Sequence, residues 1–208
     1  MKNKISLYFI FLFTGSLLCN AQVQRFYYES GELKEEGVWN AQGLKEGTWK
    51  LYYPNGTINA EEEYKAGMRD GIVKTYSFEG TLQTKEHWHA GMQEDSTWEY
   101  YANGQVKRKG IFKDGVYEGE WITYYETGQV KNRGHYKYGQ PNGEWDFFQA
   151  NKTIELKAQY VDGLKEGPAI HYDEKGKVKS KGNYKADEKV KETWTCYNAK
   201  GKVIRCKF

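Results

Sequence analysis

The chain has 208 residues, a formal net charge of +3 at pH 7, and 38% hydrophobic and 16% aromatic residues. So small a net charge excludes a general electrostatic attraction to nucleic acid or anionic membranes as the basis of function. The 23 glycines and three prolines are typical of many short strands and turns, and no proline-rich linker divides the chain into domains.

Residues 1–21 have the layout of a secretory signal peptide. A basic start with Lys2 and Lys4 precedes a mostly apolar stretch, 5–18, and Ala21 offers a small residue for cleavage. The apolar stretch is shorter than the roughly 20 residues of a membrane-spanning helix. The sequence therefore predicts export, to the periplasm, the cell envelope or the outside.

Cleavage after this segment would leave one domain, residues 22–208, with 29 basic and 28 acidic side chains. An alternative is a lipoprotein acylated on Cys19. Signals of that kind resemble this one, but they place a small residue where this chain has Leu18. The lipoprotein is therefore the less favoured interpretation.

A 24-residue repeat follows. The stretch 47–58 returns as 119–130, three periods later. Each unit has a Gly-x-Trp-x-x-Tyr-Tyr segment, a turn with glycine, an aliphatic residue and a closing Gly-x-x-x-Gly. Alternation and aromatic enrichment predict two short strands per unit, joined by hairpin loops. We expect an all-β, elongated antiparallel meander of about eight units of 24 residues, with about 16 strands.

These motifs resemble the MORN-repeat variant family of bacterial proteins. The resemblance covers nearly the whole chain after residue 22, and it implies an elongated, twisted array of β-hairpins. Members of that family look like binding or scaffold proteins, and some carry the name of an antitoxin. The resemblance therefore implies a protein that binds and does not catalyse.

Ideal hairpin geometry assigns side chains to the two faces of this sheet. It pairs Trp121 with Arg133 and Trp145 with Lys157, and it leaves the small residues on the other face with room for rings of the neighbouring unit. Basic side chains among aromatic rings can bind phosphates, acidic glycans or an acidic protein; a solvated face is the alternative. The predicted binding face comprises Lys85, Lys107, Lys109, Trp121, Tyr125, Lys131, Arg133, Trp145, Lys157, Lys179 and Lys181.

The repeat also predicts the local geometry of three single positions. Trp98 lies one place off the repeat and should point to the other face. Gly128 lies in a hairpin loop and should need a positive φ, whereas Gly37, inside a strand, should tolerate alanine at less cost.

No residues converge on a reaction. His87 and His89 share a face at strand spacing, but His135 is two units away, roughly 19 Å at ~4.8 Å per strand. The carboxylates that precede the closing glycines fit turn positions, and no serine or cysteine nucleophile has a nearby histidine. We expect no enzyme, no metal and no cofactor. The carboxylates are Glu46, Asp70, Glu94, Glu118 and Glu166.

Cys196 and Cys206 are diagonal neighbours in the last predicted hairpin. Diagonal Cα atoms ~7–8 Å apart slightly exceed the usual reach of a disulfide, whereas export and an even cysteine count favour a bond. The sequence therefore does not decide between a disulfide and two free thiols.

The sequence as a whole predicts an exported, non-catalytic monomer that binds another macromolecule, above all a protein, and that does not bind nucleic acid. One alternative is an antitoxin or immunity protein that covers a toxin. The other is a protein that binds acidic cell-surface glycan or lipid through the basic side chains.

Overall fold

A computed structural model of the protein describes residues 22–208. The predicted signal peptide, 1–21, lies outside the described residues. The strands are β1 Gln24–Tyr27, β2 Leu33–Trp39, β3 Lys45–Tyr52, β4 Ile58–Lys65, β5 Met68–Tyr76, β6 Leu82–His89, β7 Met92–Tyr100, β8 Val106–Lys113, β9 Val116–Tyr124, β10 Val130–Lys137, β11 Gln140–Pro141, β12 Gly143–Phe148, β13 Ile154–Val161, β14 Leu164–Tyr172, β15 Val178–Lys185, β16 Glu188–Lys189, β17 Thr195–Tyr197 and β18 Val203–Ile204.

These strands form one open antiparallel meander in which neighbours in sequence are neighbours in the sheet. The predicted all-β hairpin array is thus confirmed. There are 18 strands because two of the expected ones are split: Asn142 interrupts one, and a 3₁₀ turn, Lys191–Thr193, interrupts the other. No helix within residues 22–208 is long and apolar enough to cross a membrane.

Each unit contains a three-residue hairpin loop, which in every unit but the last is followed by a bulge. In the loop after β9, the Gly128 N–H donates to the Tyr125 carbonyl oxygen (2.8 Å), and Gly128 has φ +82°. Val130 pairs with Tyr124, but the next pair is Asn132 with Thr123, so Lys131 is an extra residue on the return strand. The positive φ predicted for Gly128 is confirmed.

At the opposite ends of the strands the units are joined by two-residue turns, except for the first connection, a longer loop between Asn40 and Leu44. In one of them Asp114 has φ +51° and Gly115 has φ +76°, the backbone of a type I′ turn. The Gly115 N–H donates to the Gln93 carbonyl oxygen of the preceding unit (3.1 Å), and the Asp114 N–H donates to the Glu94 carboxylate (2.7 Å). Each turn is therefore bonded to the unit before it.

The periodic carboxylates serve these turns from strand positions and do not lie in them. Glu118, for example, accepts a hydrogen bond from the Tyr138 N–H at 3.0 Å, 20 residues later. The turn assignment of these side chains is corrected accordingly, and their structural role is plain because each one satisfies a backbone donor that would otherwise need water. Backbone N–H groups donate equivalent hydrogen bonds to the carboxylates of Glu46, Asp70, Glu94 and Glu166.

Candidate interaction surface

The bulge after each hairpin loop changes which side chains share a face. Trp121 pairs with Gly134, and Ile122 pairs with Arg133. The predicted pairing of Trp121 with Arg133 is therefore wrong, because the extra residue moves every later side chain of the return strand to the other face. The same correction applies to Trp145, which pairs with Ala158 and not with Lys157.

One face of the sheet, here called the tryptophan face, holds the packed core. Trp121 and Trp145 are only 3% and 6% exposed, so neither ring can belong to a binding surface. Each indole lies on a glycine of the preceding unit: a Cβ added to Gly110 would be 2.2 Å from the Trp121 ring. The small residues do make room for rings from the next unit, but they share a face with the tryptophans, so their predicted place on the other face is wrong for the same reason. Equivalent pairs are Gly37–Trp49, Gly134–Trp145 and Gly182–Trp194.

The opposite face, here called the charged face, carries an unbroken file of directly paired residues across the whole sheet. In order, the file comprises Arg25, Glu36, Lys50, Glu61, Lys74, Lys85, Trp98, Lys109, Ile122, Arg133, Asp146, Lys157, Ile170, Lys181 and Thr195. Five members of the predicted binding face therefore do share one surface: Lys85, Lys109, Arg133, Lys157 and Lys181.

In the first part of the file, acidic and basic side chains neutralise each other's charge. Glu61 lies 3.3 Å from the Lys74 ammonium and also accepts a 3.0 Å hydrogen bond from the Tyr76 hydroxyl. Glu36 accepts the Tyr52 hydroxyl at 2.8 Å. Burial, followed by the hydrogen bond to its glutamate, raises the pKa of Tyr52 and of Tyr76 to about 12. Acidic and basic groups alternate here, so this end offers little net charge to a ligand.

The middle of the file is different, because two lysines flank a tryptophan. Lys85 and Lys109 each pair directly with Trp98, and the Lys85 ammonium lies 5.3 Å from the centre of the Trp98 ring. The His87 ring lies 6.1 Å from the same ring, and its Nδ1 is 2.9 Å from the Ser96 carbonyl oxygen. Neither lysine forms an ion pair within residues 22–208.

Trp98 lies on the charged face because Thr97 takes the core position of its unit. Thr97 is 5% exposed and pairs with Glu86, where units with a core tryptophan supply glycine. Since no glycine is present to receive an indole, the ring in this unit occurs one place later, on the charged face. Trp98 thus lies on the face opposite the other tryptophans, as predicted, but that face carries the charges, whereas the sequence predicts the charges on the face of the other tryptophans.

The last part of the file is held by a buried carboxylate. Asp146 is 7% exposed and lies between two cations, 3.0 Å from Arg133 and 3.3 Å from Lys157. Lys157 also reaches Glu144 at 3.1 Å. Arg133 and Lys157 are thus tied into the sheet and are less available to a ligand than the sequence suggested.

The remaining predicted binding residues are dispersed. The Lys131 ammonium lies 5.7 Å from the Tyr125 ring centre, and Tyr125 also donates its hydroxyl to the Phe148 carbonyl oxygen at 2.7 Å. Lys107 is 3.7 Å from Glu99. Lys179 lines a shallow depression of about 440 Å³ near the end of the described chain. These residues do not join the file, so the predicted surface is not one continuous patch.

His87, His89 and the two cysteines each have a partner within the sheet. His89 lies 3.2 Å from Asp70, whereas His87 contacts Ser96, so the two side chains have separate partners. No group of three or more His, Cys, Asp or Glu side chains within residues 22–208 could hold a metal ion. Cys196 and Cys206 are joined by a disulfide, with their Cα atoms 5.3 Å apart.

Comparison with known proteins agrees with this architecture. The family model described as MORN repeat variant matches five segments: 23–41, 45–66, 98–114, 117–138 and 165–186. No curated protein matches the chain at a significant level. One solved structure with similarity is the crystal structure of TcdB2-TccC3-TEV, at 10% identity and a TM-score of 0.24, over 86% of this chain and 11% of that one. A TM-score this low does not establish a shared fold or function. On the five matched segments and the hairpin meander that contains them, the chain belongs to the MORN repeat variant family.

Proposed function

We propose that this protein is a non-catalytic binding module that holds another protein on its charged face, with Lys85, Trp98 and Lys109 at the centre of the contact. The single observation that carries the proposal is the position of Trp98. This ring lies outside the packed tryptophan face, partly exposed, between two lysines that have no ion pair within the described residues.

The chemistry of this cluster indicates the kind of partner. Tryptophan is enriched among the residues that contribute most to protein–protein binding, since it buries a large area with little loss of conformational freedom. Lysines beside it favour carboxylates on the partner. A repeat array also presents an extended surface and no convergent pocket, which suits a macromolecule better than a small substrate. The partner should therefore be an acidic protein with an apolar contact residue.

Export is part of the same proposal. The disulfide between Cys196 and Cys206 supports it, because structural disulfides persist in oxidising compartments such as the bacterial periplasm or the outside. The partner would then be a protein of the cell envelope or a secreted protein.

Affinity capture from the native cell envelope tests the proposal. Wild-type protein, Trp98→Ala and the double variant Lys85→Glu/Lys109→Glu would be used as baits at physiological salt. Lys175→Glu/Lys200→Glu is the matched control, because it makes the same charge change at exposed hairpin loops. We expect wild type and control to retain one acidic protein that both charged-face variants lose. The same proteins on all four baits would contradict the proposal, and so would loss of an acidic glycan or lipid only.

A further inference from the structure

A row of exposed apolar side chains runs across the sheet at the strand ends next to the turns between units. Such a residue comes directly after five of the seven turns between units, which recur every 24 residues, and the other two turns are followed by Gln140 and Glu188. The exposed fractions of the five apolar residues lie between 41% and 51%. Gln140 takes the one polar place within the row. The row, here called the turn-edge stripe, comprises Leu44, Met68, Met92, Val116 and Leu164.

The turn glycines make the stripe continuous. An ideal Cβ placed on Gly67 would be 3.4 Å from the Leu44 Cβ, and one on Gly91 would be 3.8 Å from the Met68 Cβ. Leu44, Met68 and Val116 therefore lie against the glycine of the next turn, whereas the space beside Gly115, which follows Met92, is open. Because glycine adds no side chain there, consecutive stripe residues have nothing bulky between them.

Basic side chains accompany the stripe. Lys65 pairs with Met68, and Lys113 pairs with Val116. Both lysines are exposed, and neither forms an ion pair within the part of the chain that the structure describes. Directly paired residues have Cβ atoms about 4.5–5.5 Å apart, so Met68 and Val116 each have a lysine as neighbour. Lys137 continues this order beside Gln140, whereas the histidine beside Met92, His89, lies against the Asp70 carboxylate.

We propose that the turn-edge stripe from Leu44 to Val116 docks an acidic amphipathic helix of a partner protein. Successive stripe residues are two strands apart, about 9.6 Å, and residues seven apart on an α-helix are separated by about 10.5 Å. An apolar residue in every heptad can therefore meet one stripe residue per unit, while flanking carboxylates meet Lys65 and Lys113. This surface is separate from the Lys85–Trp98–Lys109 cluster and does not depend on it.

The width of the stripe favours a helix over a lipid surface. Amphipathic elements that bind membranes bury a broad apolar face in the headgroup region. The stripe is one side chain wide, and about half of each side chain is already packed. A narrow apolar seam on a helix matches it.

A designed peptide provides the test. The probe is a three-heptad helix with leucine at the seam and glutamate on both flanks. One control peptide has the same composition in scrambled order, and another has lysine in place of glutamate. The protein variant is Met68→Gln/Met92→Gln, since Gln140 shows that this chain accommodates glutamine at a stripe position. Leu164→Gln, beyond the Gln140 break, is the matched control.

Binding would be measured by fluorescence anisotropy, with circular dichroism to show that each variant is folded. We expect the acidic helix to bind wild type and Leu164→Gln equally. We expect it to bind Met68→Gln/Met92→Gln at least about tenfold more weakly, because two apolar contacts are removed. Equal binding of the scrambled or lysine peptide would overturn the proposal. So would a double variant that binds like wild type. The proposal would also be overturned, in favour of a membrane surface, if no peptide bound and the double variant lost a binding to phosphatidylserine vesicles that wild type shows.

Discussion

The indole of Trp145 lies flat on Gly134, so close that a Cβ on this glycine would be 2.1 Å from the ring. The indole N–H also donates to the His135 carbonyl oxygen at 3.2 Å. Stacking and hydrogen bonding together join one unit to the next. Where the chain has Ala158 at the glycine position, the tryptophan position holds Ala169, which indicates that the two positions depend on each other.

Gly134→Ala should therefore destabilise the protein by about 1–3 kcal/mol, since the added methyl group overpacks a close contact. Trp145→Ala alone should cost about 3–5 kcal/mol. The double variant reproduces the pair Ala158–Ala169, so its cost should fall below the sum of the two by at least about 0.5 kcal/mol. Urea unfolding of the four proteins measures the coupling, and strictly additive costs would contradict the stacking. The expected tolerance of Gly37 to alanine is wrong for the same reason, because its Cβ would be 2.3 Å from the Trp49 ring.

Lys152 occupies the hairpin-loop position that is glycine in the other units, and it has φ +72°. A side chain in that region of backbone space costs about 1–2 kcal/mol. Glycine relieves this cost, but it also raises the conformational entropy of the unfolded chain, which lowers the free energy of unfolding by about 0.4–1 kcal/mol. Lys152→Gly should thus raise the free energy of unfolding slightly, whereas Gly128→Lys should lower it. A loss of stability in Lys152→Gly, measured by thermal unfolding, would contradict this assignment.

Two tyrosines should make stability depend on alkaline pH. The pKa of Tyr52 and of Tyr76 is raised from 10.0 to about 12 in the folded chain. A raised pKa stabilises the fold fully below the unfolded value of 10.0, and this contribution is lost as pH rises through 12. We expect the melting temperature to fall across this interval, while tyrosinate absorbance shows late-titrating groups, two of which disappear in Tyr52→Phe/Tyr76→Phe. Tyr52→Phe/Tyr76→Phe should flatten the dependence; an unchanged profile would show that other groups cause it.

The sequence predicted the repeat, the hairpins and the loop glycines, because each rests on local chemistry that has a residue signature. It did not predict the bulge at Lys131, since no residue type marks an extra strand residue of this kind. That one residue moves Arg133 to the face opposite Trp121, and the equivalent bulges of other units do the same for Lys157 and Lys181. The importance of Trp98 was hidden for a related reason. Its departure from the repeat was visible, but its cause, Glu86 opposite Thr97, needed the register.

Export predicts a defined covalent form of the protein. Material recovered from the envelope or medium of the native host should start at Gln22, because the signal-peptide layout places cleavage after Ala21. It should also gain the mass of two hydrogens on reduction, since Cys196 and Cys206 are bonded. Intact-mass spectrometry before and after a reductant measures both. A chain that retains residues 1–21, or one found reduced in the cytoplasm, would contradict export.

Charge reversal should affect the two parts of the file differently. Arg133→Glu/Lys157→Glu surrounds the 7% exposed Asp146 with carboxylates in place of its two cations. Asp146 is buried but Arg133 and Lys157 are partly exposed, so leaving the carboxylate without its partners should cost about 1–3 kcal/mol, and this variant should have a lower unfolding midpoint as well as weaker binding. Lys85→Glu/Lys109→Glu changes partly exposed or exposed lysines that have no ion pair within residues 22–208, so it should lose binding and retain a wild-type unfolding midpoint. Adding Asp146→Asn to the first variant should recover part of the stability, because it removes the repulsion at its centre. If both reversals left the midpoint unchanged, Asp146 would not be the group that holds Arg133 and Lys157 in place.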